Sequence, residues 1–302
     1  MPETEPPATP TPAAGGHVGI VTDSSCDLPD EVARAAGIEI VPLSIRFGDE
    51  ELIDREELST DEFWARCARS PELPSTAAPS PGRFEQSYRA LAARGSTHIV
   101  AVMLSGALSA TLQSAELAAR SVAPEGITVR VIDSRTVTLG LGTIALACAE
   151  LAATRPDDDD ALADVATLAG QLVERTRVLG VLDTMDNLKK GGRVGNARAL
   201  LATALSIKHI IAVVDGVVEQ HGRQRTRSKA LRYLVDTVAG VAGHIDHLAV
   251  AHADCSDVDE FVAMLAPHYP GDIVVGQIGP VIGTHAGRGT IGVAFHEASP
   301  DS

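Results

Sequence analysis

Aromatic residues make up only 3% of this 302-residue chain, so Ala, Val, Leu and Ile must fill its core. Cysteine is scarce as well. Cys26, Cys67, Cys148 and Cys255 lie far apart with no C-x-x-C pair, which favours free thiols in a reducing cytoplasm over a disulfide framework or a zinc site. Positive charge is in deficit: the net charge of −15 argues against nucleic acid or an anionic membrane as the main partner. No run is apolar for long enough to cross a bilayer. The opening "MPETEPPATPTPAAGG" lacks the basic end and apolar centre of a signal peptide, so residues 1–16 read as a disordered tail on a soluble, cytoplasmic protein. No G-x-S-x-G nucleophile elbow occurs either.

What is present is a 45% hydrophobic fraction, enough for a sizeable core, in a length that suits one large or two medium domains. From Val18 onward short apolar runs alternate with helical patterns. Val18–Val21, "IEIVPLSI", "THIVAVML" and "ITVRVID" read as strands. Helices are expected over "LPDEVARAA" with Asp27 as a possible N-cap, over "STDEFWARCAR" opening at Ser59 or Thr60, over "RFEQSYRALAARG" and "ATLQSAELAAR", and from Thr138 to about Ala153. "PELPSTAAPSPG" reads as a long loop. Strands alternating with helices imply a mostly parallel sheet covered on both faces. Beyond "RPDDDDA" the pattern changes. "VLGVLDT" and "IIAVVDGVVEQHGRQRT" read as strands, the second with a hairpin at Asp215-Gly216, followed by further helices and the strands "HLAVAHA" and "DIVVGQIG". The expected fold class is therefore α/β, with an N-terminal parallel-sheet domain over 17–170 and a C-terminal mixed-sheet α/β domain over 171–297.

Several motifs resolve into structural roles. "GLGTIA" has dinucleotide-type glycines but starts eight residues after its strand, and "GRGTIG" has too little chain behind it for a βαβ unit. "VTDSSCDLP" carries Asp23, Ser24, Cys26 and Asp27 behind a strand. It can be a hydroxyl-rich turn, or a site for phosphotransferase or hydrolase chemistry at Asp23, Ser24 and Cys26. In "HIDHLAVAHADC" the five-residue spacing of His247 and His252 sends them to opposite faces of a strand, and four consecutive aspartates point in different directions. Neither pattern builds a metal site.

"LSGALSATLQSA" is more informative. A strand ends at Leu104 and a helix starts near Ser109, so small residues can leave backbone N–H groups open beside a helix N-terminus, where an anion is favoured. Ser109 can be a simple N-cap, a ligand contact, or both. Basic residues cluster twice, as Lys189, Lys190, Arg193 and Arg198 around a Gly-Gly turn, and as Arg223, Arg225, Arg227 and Lys229. These are solvated loops or docking points for an acidic partner or phosphate.

Six segments in order, "VTDSSCDLP", "LPSTAAPSPGRF", "LSGALSATLQSA", "VIDSRTVTLGLG", "LKKGGRVG" and "IGPVIGTHAGRGTIG", resemble the DegV family of bacterial fatty-acid-binding proteins. Its best-understood members are lipid-carrying subunits of a fatty acid kinase. The resemblance runs from about Val18 to Phe295. It implies a ligand tunnel between the two domains, no catalytic residues, no metal, and no cofactor beyond the bound lipid. It places the carboxylate-binding hydroxyls and imidazole at Thr76, Ser109 and His285, and the arginines linked to function with the kinase at Arg193 and Arg225. The implied partners are a long-chain fatty acid, a separate ATP-dependent kinase, and a transient membrane or acyltransferase contact. The chain departs from the family pattern at Ala77-Ala78, at Ala107 and Ala110, and in "IKHIIAVVDG".

Overall fold

The alternation of short apolar runs with amphipathic segments becomes a layered α/β molecule in the computed structural model, which describes residues 16–70, 72–196 and 207–298. The expected tail, apart from Gly16, and Arg198 of the first basic cluster lie outside the described residues. In chain order the first half contains β1 (Gly19–Asp23), α1 (Asp30–Ala35), β2 (Ile38–Val41), β3 (Ser44–Phe47), β4 (Glu50–Ile53), α2 (Thr60–Arg69) and β5 (Ser75–Ala77). It continues with α3 (Pro81–Ala93), β6 (His98–Met103), α4 (Thr111–Val122), β7 (Thr128–Asp133), α5 (Thr138–Ala152) and α6 (Asp159–Arg175). The second half contains β8 (Thr176–Leu182), α7 (Asp186–Lys190), β9 (Lys208–Val214), β10 (Val217–Gln224) and α8 (Arg227–Gly240). After these come β11 (Ile245–His252), α9 (Val258–Leu265), β12 (Val274–Gln277), α10 (Pro280–Ala286) and β13 (Ile291–Glu297).

Strands β2-β1-β6-β7 form a parallel sheet, and β10-β9-β8-β13-β11-β12 form a mixed one. Each sheet draws its strands from one half of the chain. Period-2 alternation gives each sheet two apolar faces. In β6, Ile99, Ala101 and Met103 meet Phe84 and Tyr88 of α3 and Ala115 of α4, whereas Val100 and Val102 join the cluster that holds α5 and α6. In the mixed sheet, Val178, Ala251 and Ala294 share that same cluster, while Val181, Val250 and Val293 pack against α8 and α9. Helix α5 therefore lies between the two sheets. Its sequence "TLGLGTIALACAELA" is buried at almost every position, as a helix apolar on all sides must be.

The glycines of "GLGTIA" have a packing role here. A Cβ on Gly140 would sit 2.3 Å from Val178 Cγ2, and one on Gly142 would sit 2.7 Å from the Cys26 carbonyl oxygen. Their absence lets β8 and the 24–26 turn approach the helix.

Three expectations are corrected. "IEIVPLSI" is two strands, β2 in the parallel sheet and β3 in a small antiparallel sheet ordered β4-β3-β5, divided by Pro42, which has no N–H for a ladder. The loop "PELPSTAAPSPG" contributes β5, which pairs with β3 and sets Thr76 opposite Ile45. Asp27 does not cap α1, whose N-cap is Pro29 with no side-chain hydrogen bond. Other local readings hold. Ser59 caps α2 by accepting the Glu62 N–H. Asp215 and Gly216 take φ of 48° and 80° in the β9–β10 hairpin, as a tight turn of that hand requires. The aspartate run serves the backbone: Asp158 caps α6, and Asp157 accepts the N–H groups of Thr97 and His98. No helix among the described residues is long and apolar enough to cross a membrane.

Candidate functional site

The second sheet and the segments facing it enclose a narrow cavity that opens to solvent on one side. Its walls are aliphatic, including Val178 and Leu179 of β8, Ile211 and Val213 of β9, Val281 of α10 and Val293 of β13. Residues with branched side chains and no polar atoms give a surface that only an apolar ligand can cover at a gain in free energy. Against this wall stand a few polar groups: Thr76, Ser109, Thr138, Arg193, His285 and Thr290.

The structure brings Thr76, Ser109, His285 and Arg193 to the same cavity, from four separate parts of the chain. Thr76 arrives on β5 and His285 on the last turn of α10; Thr76 Oγ1 and His285 Nε2 are 3.1 Å apart. Arg193, after α7, donates Nε–H to the Leu108 carbonyl at 3.2 Å and an Nη1–H to Gly191 O at 2.7 Å. That bond joins the Gly-Gly-Arg loop to the residue next to Ser109. Ser109 Oγ in turn accepts the Thr111 N–H and lies 2.9 Å from Thr111 Oγ1. Burial, reinforced by the neighbouring Arg193 charge, pulls His285 down to about 4, so its imidazole is neutral at pH 7. Its Nδ1 is buried without a hydrogen-bond partner among the described residues. Gly191 makes this placement possible: a Cβ there would lie 2.2 Å from His285 Nδ1. Two neutral hydroxyls, a neutral imidazole and one guanidinium thus edge an apolar hollow, a set that can hold an anion by hydrogen bonds and one positive charge.

The expectation of open backbone N–H groups in "SGALS" is corrected. The N–H groups of Ser105, Gly106, Ala107, Leu108 and Ser109 are taken by Thr136 O, Asp133 Oδ1, Ser105 Oγ and Ser105 O. Small residues let this loop fold back on itself, and what it presents to the cavity is Leu108 and the hydroxyl-bearing Ser109. Helix α4 is capped at Ala110 without a side-chain bond, so Ser109 is not its N-cap.

Arg225 is elsewhere. It is exposed after β10 and borders a surface depression with Arg223 and Lys229. The turn Asp23–Asp27 does not line the cavity either. Asp23 Oδ1 accepts the Ser25 N–H and hydroxyl while Oδ2 accepts the Leu104 N–H at 2.8 Å. Ser24 Oγ accepts the Leu43 N–H. Burial raises Asp23 and pushes the Cys26 thiol up to about 12, far from the thiolate that nucleophilic chemistry needs. The two histidines of "HIDHLAVAHADC" separate as their spacing implies: His247 stacks near His296, and His252 Nδ1 accepts the Cys255 N–H. No group of three or more His, Cys, Asp or Glu among the described residues could hold a metal.

The family model described as "Uncharacterised protein, DegV family" matches residues 17–298. The chain belongs to the DegV family. A DegV domain-containing protein of Streptomyces coelicolor is 37% identical over 281 residues, covering 92% of this chain and 97% of its own length. Among solved DegV structures, a fatty acid-binding member from Thermus thermophilus is 29% identical with a TM-score of 0.81, covering 93% of this chain and 99% of its own. DegV of Bacillus subtilis, a fatty acid binding protein, is 27% identical with the same TM-score and the same coverage of both chains. A DegV protein of Ruminococcus gnavus, refined with vaccenic acid, is 26% identical with a TM-score of 0.79, covering 92% of this chain and 99% of its own.

Sequence reasoning did not single out two features of this candidate site. Thr138 lines the cavity with a φ of 51°, a strained value for a β-branched residue that no propensity signals. Gly191 was visible only as half of a Gly-Gly turn.

Proposed function

We propose that this protein is a non-catalytic carrier that binds a long-chain fatty acid, with the tail along the aliphatic wall and the carboxylate at Thr76, Ser109 and His285. It then presents the head group to a separate ATP-dependent kinase that forms the acyl phosphate, with Arg193 and Arg225 serving that docking. The observation that carries the reading is the convergence of those three side chains and Arg193 on one apolar cavity. Fatty acid binding by DegV proteins of similar fold supports it. Each tail CH₂ moved out of water contributes roughly 0.8 kcal/mol, so a long acyl chain supplies about 10 kcal/mol before ordering costs. A buried carboxylate would cancel much of that gain unless hydrogen-bonded, which is the role of the hydroxyls and the guanidinium.

Chemistry at the 23–27 turn is the weaker reading, because Asp23 is consumed by backbone and hydroxyl donors and Cys26 is held as a thiol. Mass spectrometry of lipid extracted from the purified protein tests the carrier reading. A free long-chain fatty acid at near one equivalent is the expected result. Protein that carries no fatty acid and binds no fluorescent analogue would sink it, and so would acyl phosphate or acyl ester turnover lost in Asp23→Ala.

A further inference from the structure

Asp27 touches nothing in the cavity, yet it binds two of the segments that wall it. Its Oδ2 accepts the Thr138 hydroxyl at 2.6 Å, and its Oδ1 accepts the Gly279 N–H at 2.9 Å. Thr138 opens α5 and lines the cavity; Gly279 immediately precedes α10, whose Val281, Ile282 and His285 also line it. The three segments are far apart in sequence and meet at one carboxyl group. The Gly279 N–H donates, and the Thr138 hydroxyl can donate to a carboxylate or accept from a carboxylic acid, so this one group satisfies both partners in either protonation state. The junction is also strained at Thr138, whose φ is 51°, whereas Asp27 at 53° is of a residue type that tolerates the left-handed region. Left-handed backbone at a β-branched residue is retained only where surrounding contacts over-determine it, and such outliers gather at functional sites.

We infer that Asp27 is a positioning residue for ligand binding, whose carboxyl group fixes Thr138 at the start of α5 and the start of α10 so that His285 faces the cavity in register with Thr76. This inference rests on the fatty-acid reading. The consequence is specific: removing the carboxyl group should loosen the ligand site more than it loosens the fold, because the aliphatic packing around α5 does not depend on it.

Displacement of a fluorescent long-chain fatty acid from the full-length chain, paired with urea denaturation of the same samples, provides the test. Asp27→Gly accepts the left-handed backbone without strain and removes both acceptors; its fatty acid affinity should fall about tenfold, the scale of one hydrogen bond to a charged group. Asp27→Asn keeps an acceptor for Gly279, and its amide can donate to the Thr138 oxygen, so affinity should return to within about threefold of wild type. The Asn variant should denature at about pH 8 no earlier than wild type, because a neutral amide avoids the cost of a buried charge. Wild-type affinity in a folded Asp27→Gly chain overturns the assignment, as does an Asn variant no tighter than the Gly variant. Should the Gly variant not fold, Thr138→Ser and Thr138→Ala decide. Both lose the same methyl group, so a Ser variant that binds about fivefold more tightly than the Ala variant isolates the bond to Asp27, and equal binding refutes it. Wild-type protein that binds no fluorescent fatty acid fails the carrier reading itself, whereas equal binding in wild type and variants fails only the role of Asp27.

Discussion

The turn at Asp23–Asp27 and the polar edge of the cavity hold the same kinds of groups, but their hydrogen bonds go to different places. All four carboxylate oxygens of Asp23 and Asp27 have donors from the protein itself. At the cavity, Thr76 and His285 have mainly each other, Arg193 spends donors on two carbonyls, and His285 Nδ1 has no partner among the described residues. Buried polar groups that are internally satisfied hold a structure together; those that are partly satisfied beside an apolar hollow are completed by a ligand. The comparison therefore separates Asp23, whose loss should damage the fold, from Thr76, Ser109 and His285, whose loss should damage binding; Asp27 links the two, because its partners Thr138 and Gly279 belong to segments that wall the cavity.

The largest expected effect is on the pH dependence of stability, and it belongs to the turn. Burial raises Asp27 from an ordinary 3.8 to about 7 and Asp54 to about 6, and it raises Asp23 as well. The positive charge facing them is Arg55, which donates to Asp30 and to the Leu28 carbonyl. The folded chain holds these protons more tightly than the unfolded one, so the stability they contribute is complete below about pH 4 and is lost as pH rises through about 7. For Asp27 alone the shift corresponds to about 4 kcal/mol. The urea midpoint of wild type should fall relative to that of Asp27→Asn between about pH 4 and pH 8. Parallel curves would show that the carboxyl group is not desolvated.

Next in size is Asp23→Ala, which leaves the Leu104 and Ser25 N–H groups without their acceptor in a buried turn and should cost about 3 kcal/mol of stability. The complementary prediction concerns the cavity. Thr76→Ala and Ser109→Ala should each weaken fatty acid binding by about 1–2 kcal/mol while changing stability by less than about 1 kcal/mol. Displacement titration and chemical denaturation on the same variants read both quantities. A Thr76 or Ser109 variant that unfolds readily but binds normally would erase the distinction between the two regions.

Much of this architecture is readable from residue patterns because local rules and tertiary packing agree. The apolar run "THIVAVML" became β6, the D-G pair made a hairpin, and Ser59 capped its helix. The signal failed where packing decided. Strand β13, Ile291–Glu297, is buried on both faces and so shows no alternation, and it is a strand because β8 and β11 pair with it on both sides. Strand β5 has three residues, too few for any period, and exists by pairing with β3. In the site, Thr76, Ser109 and His285 were placed by family resemblance, since no spacing in one chain reveals that a loop, a turn and a short helix converge. The open amides expected in "SGALS" disappeared because the same small residues that could expose a backbone also let it hydrogen-bond to itself.

Gly191→Ala gives the smallest and most local perturbation of the polar edge. Gly191 follows α7 with φ −74° and ψ −8°, which alanine adopts without strain, so any effect comes from the added methyl group. That methyl would lie 2.2 Å from His285 Nδ1 and 2.9 Å from Cε1, and the imidazole must turn or shift away from Thr76. Stability should change by less than about 1 kcal/mol, since alanine lowers the entropy of the unfolded chain and offsets the clash. Fatty acid affinity should fall by about 1 kcal/mol, the scale of one weakened hydrogen bond. A double-mutant cycle makes the assignment specific. In a His285→Ala background the ring that meets the methyl group is gone, so Gly191→Ala should no longer affect binding. Equal losses in both backgrounds would place its effect in the Gly-Gly-Arg loop and Arg193 rather than in His285.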